Sequence, residues 1–167
     1  MHRAVYEEVH RLLQKHAIAE DAVVLDVGSL NVNGTYRRLF KTQHYIGVDM
    51  APVNNVDVVM PDEFSLPFED SFADLVVCGS CLEHCRNPHR LTAEMFRVLK
   101  PSCRIIVNAP AVWPVHNHPI DCFRFFPDGM RAVLELAGFA DVETYLSGED
   151  PKFVDCHGTG IKKHERE

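Results

Sequence analysis

The feature that most narrows the fold of this chain is a series of short apolar runs, several of which close on an acid or a glycine. Ala22-Val-Val-Leu-Asp26-Val27 continues to Gly28, and four more runs follow: Tyr45-Ile-Gly-Val-Asp49, Val56-Asp-Val-Val-Met60, Ala73-Asp-Leu-Val-Val-Cys78 and Arg104-Ile-Ile-Val-Asn108. Near-continuous apolar runs of this length suit strands covered on both faces, as in a parallel sheet. Helical patterns accompany them. Val5, Val9, Leu12 and Leu13, with Tyr6, recur at helical spacing over 3–16. Asn87-Pro88 supplies an N-cap and a first-turn proline for a helix striped by Leu91, Met95, Val98 and Leu99, which Lys100-Pro101 stops. A further helix from Pro127 carries Met130, Val133, Leu134 and Ala137 and ends at Gly138. Strands alternating with helices specify an α/β fold with a mostly parallel sheet, its crossovers right-handed. Phe139–Leu146 and Phe153–Ile161, joined by Ser147-Gly-Glu-Asp-Pro151, read as an antiparallel hairpin at the edge.

A length of 167 residues fits one domain: an N-terminal helix within 1–18, a core over 22–146, and a last edge strand with a tail over 147–167. With 17 basic against 24 acidic side chains the net charge is −7, which disfavours nucleic acid as a partner. No apolar run approaches the roughly 20 residues of a membrane span, and the first residues lack a signal-peptide core, so a cytoplasmic protein is expected. The six cysteines read as reduced thiols in so apolar a chain. Cys78-x2-Cys81 with His84, Cys85 and His89 has zinc-like spacing, against the simpler reading in which Cys78 ends a buried strand.

Ligands of open parallel sheets bind beyond the carboxyl ends of the strands, where strand order reverses. Asp26-Val-Gly28, Asp49 and Asp62 fall at such ends, and Asp49 stands 23 positions after Asp26. An acid about 20 residues beyond a glycine turn is placed to accept both hydroxyls of a ribose. A dinucleotide site would need G-x-G-x-x-G, but the second and third glycine positions counted from Gly28 are Leu30 and Asn33. A pyrophosphate would be poorly served there, which favours S-adenosylmethionine.

VVLDVGSLNVNGTYR, YIGVDMAP, DEFSLPFEDSFADLVVCGSCLEHC and MFRVLKPSCRIIVNAP are similar, in order and spacing, to the class I S-adenosylmethionine-dependent methyltransferases of the small single-domain kind called type 11. The resemblance covers about Ala22 to Phe139, roughly 70% of the chain. It implies a doubly wound, Rossmann-like seven-stranded sheet, mostly parallel with an antiparallel last strand and helices on both faces, and S-adenosylmethionine as cofactor. Carried across, it implies that Asp26 and Gly28 lie under the methionine portion and that Asp49, with Met50 beside it, holds the ribose. It implies further that Asp62 receives the adenine amino group with Glu63 and Phe64 next to the ring, and that Cys78, Gly79 and Ser80 approach the methionine amine and sulfonium. The chain departs from the family's D-x-G-x-G-x-G loop, having Asp26-Val-Gly28-Ser-Leu30-Asn-Val32-Asn33-Gly34. Asn31, Asn33 and Gly34 can adopt the positive φ such a loop requires.

Methyl transfer from a sulfonium requires positioning, exclusion of water and, for oxygen or nitrogen acceptors, a proton acceptor. His84, just after the fourth strand, is one candidate, and local capping is its simpler role. The long aromatic segment 109–126 reads as a lid over the acceptor. Within it Trp113 either stacks on the acceptor or anchors the loop. Phe123, Phe125 and Phe126 are expected to fill the interior, and Arg124 either holds an anionic group or pairs with Asp121. His116, His118 and Asp121 form H-x-H-x2-D, suited to acceptor contact or proton transfer, with a metal-dependent hydrolase or oxygenase as a rival reading. No metal is assigned. The expected partner is a small-molecule acceptor, with a homodimer left open; a non-catalytic cofactor-binding domain is the remaining alternative.

Overall fold

The computed structural model describes residues 3–16, 18–32 and 34–164. Its elements are α1 (Arg3–Lys15), β1 (Val24–Val27), β2 (Tyr45–Asp49), β3 (Val58–Val59), β4 (Ala73–Gly79), α2 (Pro88–Val98), β5 (Leu99–Val112), α3 (Pro127–Ala137), β6 (Ala140–Asp150) and β7 (Phe153–Ile161). One seven-stranded sheet has the order β3-β2-β1-β4-β5-β7-β6. β3, β2, β1, β4 and β5 run parallel, and β7 lies antiparallel to both β5 and β6. Strand order reverses between β1 and β4, so a cleft opens beyond Val27 and Gly79.

Strand alternation sorts the core into two layers. Val24, Leu75, Val77 and Ile106 face α1 through Val5, Val9 and Leu12. Leu25, Val76, Cys78 and Val107 face the opposite way, onto Leu91, Met95 and Val98 of α2 and Met130 and Leu134 of α3. The helix ends follow their local signals: the Asn87 side chain accepts from Arg90 N–H, and Gly138 closes α3 at φ 108°. All six cysteines are free. Among the described residues no helix is long and apolar enough to cross a membrane.

Two boundaries move. β7 was expected at the edge, but β6 takes that position and β7 lies between it and β5. The reason is burial: Asp155 to Gly160 are covered on both faces, whereas most of β6 is exposed or half-buried. Gly158 permits this, because a Cβ there would stand 2.8 Å from Met130 Cγ and 3.0 Å from Leu134 Cδ1. The same ladder carries β5 on to Val112, since Asn108, Ala109 and Pro110 find partners in His157, Cys156 and Asp155. The irregular segment after β5 therefore starts at Trp113 rather than Ala109.

Candidate active site

At the end of β1, Asp26 is buried and Tyr45 Oη donates to its carboxylate. Burial pushes its pKa up to about 7, against the opposing effect of the tyrosine hydrogen bond. An unfolded aspartate ionises from about pH 4. The folded state resists that ionisation, so Asp26's contribution to stability is full below about pH 4 and is lost as pH rises to about 7. Asp26→Asn, whose amide oxygen can still accept from Tyr45, should therefore gain stability on the wild type between those values and keep a constant difference above them. Denaturant titrations across pH check this; a difference independent of pH would refute it.

Gly28 has φ +80°, and a Cβ there would lie 2.4 Å from Cys81 Cβ and 2.5 Å from its Sγ, so the loop after β1 abuts the turn after β4. The loop is held by its neighbours. Gly28 and Ser29 N–H both donate to Val48 O, and Asn55, itself at φ 74°, donates through Nδ2 to Ser29 O. Gly34 adopts positive φ as expected, but Asn31 contributes through its side chain, whose Oδ1 accepts from Gly34 N–H. Asn33 lies outside the described residues. Asp49, at the tip of β2, accepts Leu30 N–H at Oδ2 (3.0 Å) and Met50 N–H at Oδ1 (2.6 Å). Each oxygen keeps lone-pair capacity for a further donor. Across the cleft Ser80 is held at φ 51°, its N–H donating to Asn108 O.

These ends surround a cavity of about 470 Å³. Of the residues expected to form the site, Asp26, Gly28, Asp49, Met50, Glu63, Gly79, Ser80, His84, Trp113, His116 and His118 line it. Five do not. Asp62 is turned onto its own loop, accepting from Phe64 N–H and Ser65 Oγ, with its pKa lowered chiefly by the first of these bonds. Phe64 lies under the Arg90 guanidinium, 4.4 Å from the ring centroid, and Cys78 points into the core. Asp121 and Arg124 bind each other through both carboxylate oxygens. The wall carries five acids (Asp26, Asp49, Glu63, Glu83 and Asp155) against one arginine, Arg86, which pairs with Glu63. Burial keeps Asp26 and Glu83 partly protonated, and a cation bound among these acids would draw them into the ionised form, whereas a pyrophosphate would be repelled.

Glu83 is the residue that sequence reasoning missed. It sits on a short 3-10 turn, Leu82–His84, just after β4, wholly buried, and neither carboxylate oxygen has a hydrogen-bond partner. Burial, reinforced by the Asp155 charge, pushes its pKa up to about 8. Its Oε1 is 3.7 Å from His84 Nε2 and 3.9 Å from His116 Nε2. The signal was the Leu-Glu-His triplet itself, of which only the histidine was singled out. The segment over this cluster is tied down: Cys122 and Phe123 N–H donate to Glu83 O, and Phe125 N–H to Pro110 O. Arg124 donates to the carbonyls of Trp113, Pro114 and Phe123 besides Asp121, so its donors are spent on the loop. Trp113 packs against Phe153, ring centroids 4.6 Å apart. Phe125 fills the interior, while Phe123 and Phe126 are exposed because the extended segment and the start of α3 turn them outward.

Residues 25–107, about half of the chain, match the family described as a methyltransferase domain, type 11. The ubiquinone/menaquinone biosynthesis C-methyltransferase UbiE of Vibrio vulnificus (strain YJ016) is 36% identical over 59 residues, 35% of this chain and 23% of that protein. The chloroplastic 2-methyl-6-phytyl-1,4-hydroquinone methyltransferase of Spinacia oleracea is 28% identical over 118 residues, 68% of this chain and 32% of that protein. The chain thus spans less than a third of the length of these relatives. Among solved structures, a methyltransferase in complex with the Haloferax volcanii Trm112 methyltransferase activator superposes with TM-score 0.74 at 18% identity, over 99% of this chain and 92% of that one. Haemonchus contortus phosphoethanolamine N-methyltransferase 2, bound to phosphomonomethylethanolamine and S-adenosylhomocysteine, gives 0.72 at 13% identity, over 95% of this chain and 53% of that one.

Proposed function

We propose, on the premise that this chain belongs to the class I S-adenosylmethionine-dependent methyltransferases of type 11 kind, that it transfers a methyl group to a small-molecule acceptor bound beneath residues 113–126. The observation that carries this reading is the acid-rich cavity at the point where strand order reverses, with Asp49 at its rim. Its donor set fits the cofactor. Two oxygens already oriented by backbone N–H groups suit two ribose hydroxyls, and an acid-rich wall suits a sulfonium and an ammonium group. When bound, S-adenosylmethionine supplies the methyl group by in-line displacement at its sulfonium.

Asp49 would hold the ribose, with exposed Met50 alongside the base and Glu63 near it. Gly28, Gly79 and Ser80 would let the backbone approach the methionine portion next to Asp26. With Asp62, Phe64 and Cys78 turned away from the cavity, their expected contacts carry less weight than that of Glu63. His84, His116 and His118 would border the acceptor, and Trp113 would form its apolar wall. Asp121 and Arg124 act by positioning the segment that carries the histidines. The relatives named for quinone and hydroquinone methylation support an aromatic small molecule as acceptor class.

Calorimetric titration with S-adenosylhomocysteine tests the cofactor half. At 100 times its dissociation constant the ligand should stabilise the fold by about 2.7 kcal/mol. Transfer of labelled methyl from S-adenosylmethionine to a panel of phenols and hydroquinones tests the rest. Absence of cofactor binding overturns the proposal, and binding without transfer to any acceptor favours the non-catalytic alternative.

A further inference from the structure

We infer that Glu83, His84 and His116 form a binding site for a divalent transition-metal ion such as Zn²⁺ or Fe²⁺. Among the described residues these three alone converge with metal-ligand spacing, their donor atoms lying within 4.8 Å of one another. The set differs from the H-x-H-x2-D motif, whose Asp121 is consumed by Arg124 and by His116 N–H.

The orientation of the rings carries the inference. His84 Nδ1 lies 2.5 Å from Ile120 O and His116 Nδ1 lies 3.0 Å from Pro114 O. A carbonyl only accepts, so each Nδ1 bears a ring proton, and in the neutral ring each Nε2 then bears a lone pair. Both Nε2 atoms lie close to Oε1 of a fully buried carboxylate, neither oxygen of which has a hydrogen-bond partner among the described residues. With Glu83 ionised, three acceptors facing one another at the cavity wall repel unless a proton or a metal ion stands between them. Separations of 3.7 and 3.9 Å are too long for direct hydrogen bonds. They match two donors sharing an ion, since atoms each about 2.1 Å from a metal stand at most about 4.2 Å apart. A backbone carbonyl holding the far nitrogen of a histidine is also the usual device for orienting a metal-binding ring. Two imidazoles and one carboxylate are a donor set for zinc or iron(II), and three ligands leave open positions.

All three residues line the cavity, so those positions face it. An acceptor hydroxyl bound there would lose its proton more readily. That role rests on the methyl-transfer reading, whereas binding of the ion does not.

The full-length chain, stripped with EDTA and titrated with Zn²⁺ and with Co²⁺, tests the site. One ion per chain is expected, with visible absorption from the cobalt form and a raised thermal midpoint. Losing an outer hydrogen-bond partner typically costs about 10–100-fold in metal affinity, so His116→Ala and Glu83→Gln should each cost at least that. His116 sits on the surface segment, so its variant remains informative should the buried substitution disturb folding. No stoichiometric binding by the wild type, or unchanged affinity in His116→Ala, overturns the inference. S-adenosylhomocysteine titrated into the same metal-free samples reads the methyltransferase proposal separately, since Asp49 is not among the ligands.

Discussion

Asp49→Ala should weaken S-adenosylhomocysteine binding about 100-fold or more while the chain stays folded. A hydrogen bond to a charged group contributes about 1.5–3 kcal/mol, so losing two ribose contacts removes at least about 3 kcal/mol, and each 1.4 kcal/mol is a factor of ten. The carboxylate also organises its surroundings before any ligand arrives, accepting Leu30 N–H on one oxygen and Met50 N–H on the other. Asp49 is half-buried at a strand tip, outside the two packed layers, so stability should change little. Asp49→Asn should fall between, keeping one acceptor oxygen and losing the charge. Calorimetry with far-ultraviolet dichroism as the folding control measures this. Wild-type affinity in the alanine variant would mean that the cofactor site has been assigned to the wrong rim of the cavity.

Arg124→Ala should destabilise the protein by about 2–3 kcal/mol and open the segment 113–126. Breaking a buried ion pair typically costs about 3–5 kcal/mol, and the partial exposure of Arg124, 24%, reduces that. What remains is an Asp121 side chain only 2% exposed, whose pKa the guanidinium holds well below the usual carboxylate range, with His116 N–H as its remaining donor. The carbonyls of Trp113, Pro114 and Phe123 lose a donor at the same time. Arg124→Lys should recover only part of the loss, because an ammonium lacks the planar fork that reaches all four partners. Denaturant titration measures the first effect and limited proteolysis the second. Wild-type stability and cleavage rate in the alanine variant would show that the loop is held by other contacts, such as the bonds from Cys122 and Phe123 to Glu83 O.

Much of the architecture was legible because its determinants are local. Asn87-Pro88 and Gly138 bound their helices through interactions within a few residues, and the apolar runs mark β1, β2 and β4 because both faces are covered. Spacing alone put Asp26, Gly28 and Asp49 at one end of the sheet, where they line the cavity. Asp62 has the right residue type in the right order, yet two donors within its own turn, Phe64 N–H and Ser65 Oγ, capture its carboxylate. No spacing rule contains that competition. Arg124 is similar: its pairing with Asp121 is visible in the sequence, but its three carbonyl partners exist only once the segment folds back.

By itself, then, the sequence determined the class of fold, the order of its strands and helices, and which strand ends carry acids, because periodicity and capping act over a few residues. Tertiary structure alone decided that β7 lies inside the sheet, that the irregular segment begins at Trp113, and that Glu83 is sealed in opposite two histidines. The physical reason is common to the three: whether a strand is central, a segment irregular or a carboxylate orphaned depends on which distant groups come to lie beside it. His116, 33 positions from Glu83, meets it only because the segment 113–126 is pinned across the end of β4.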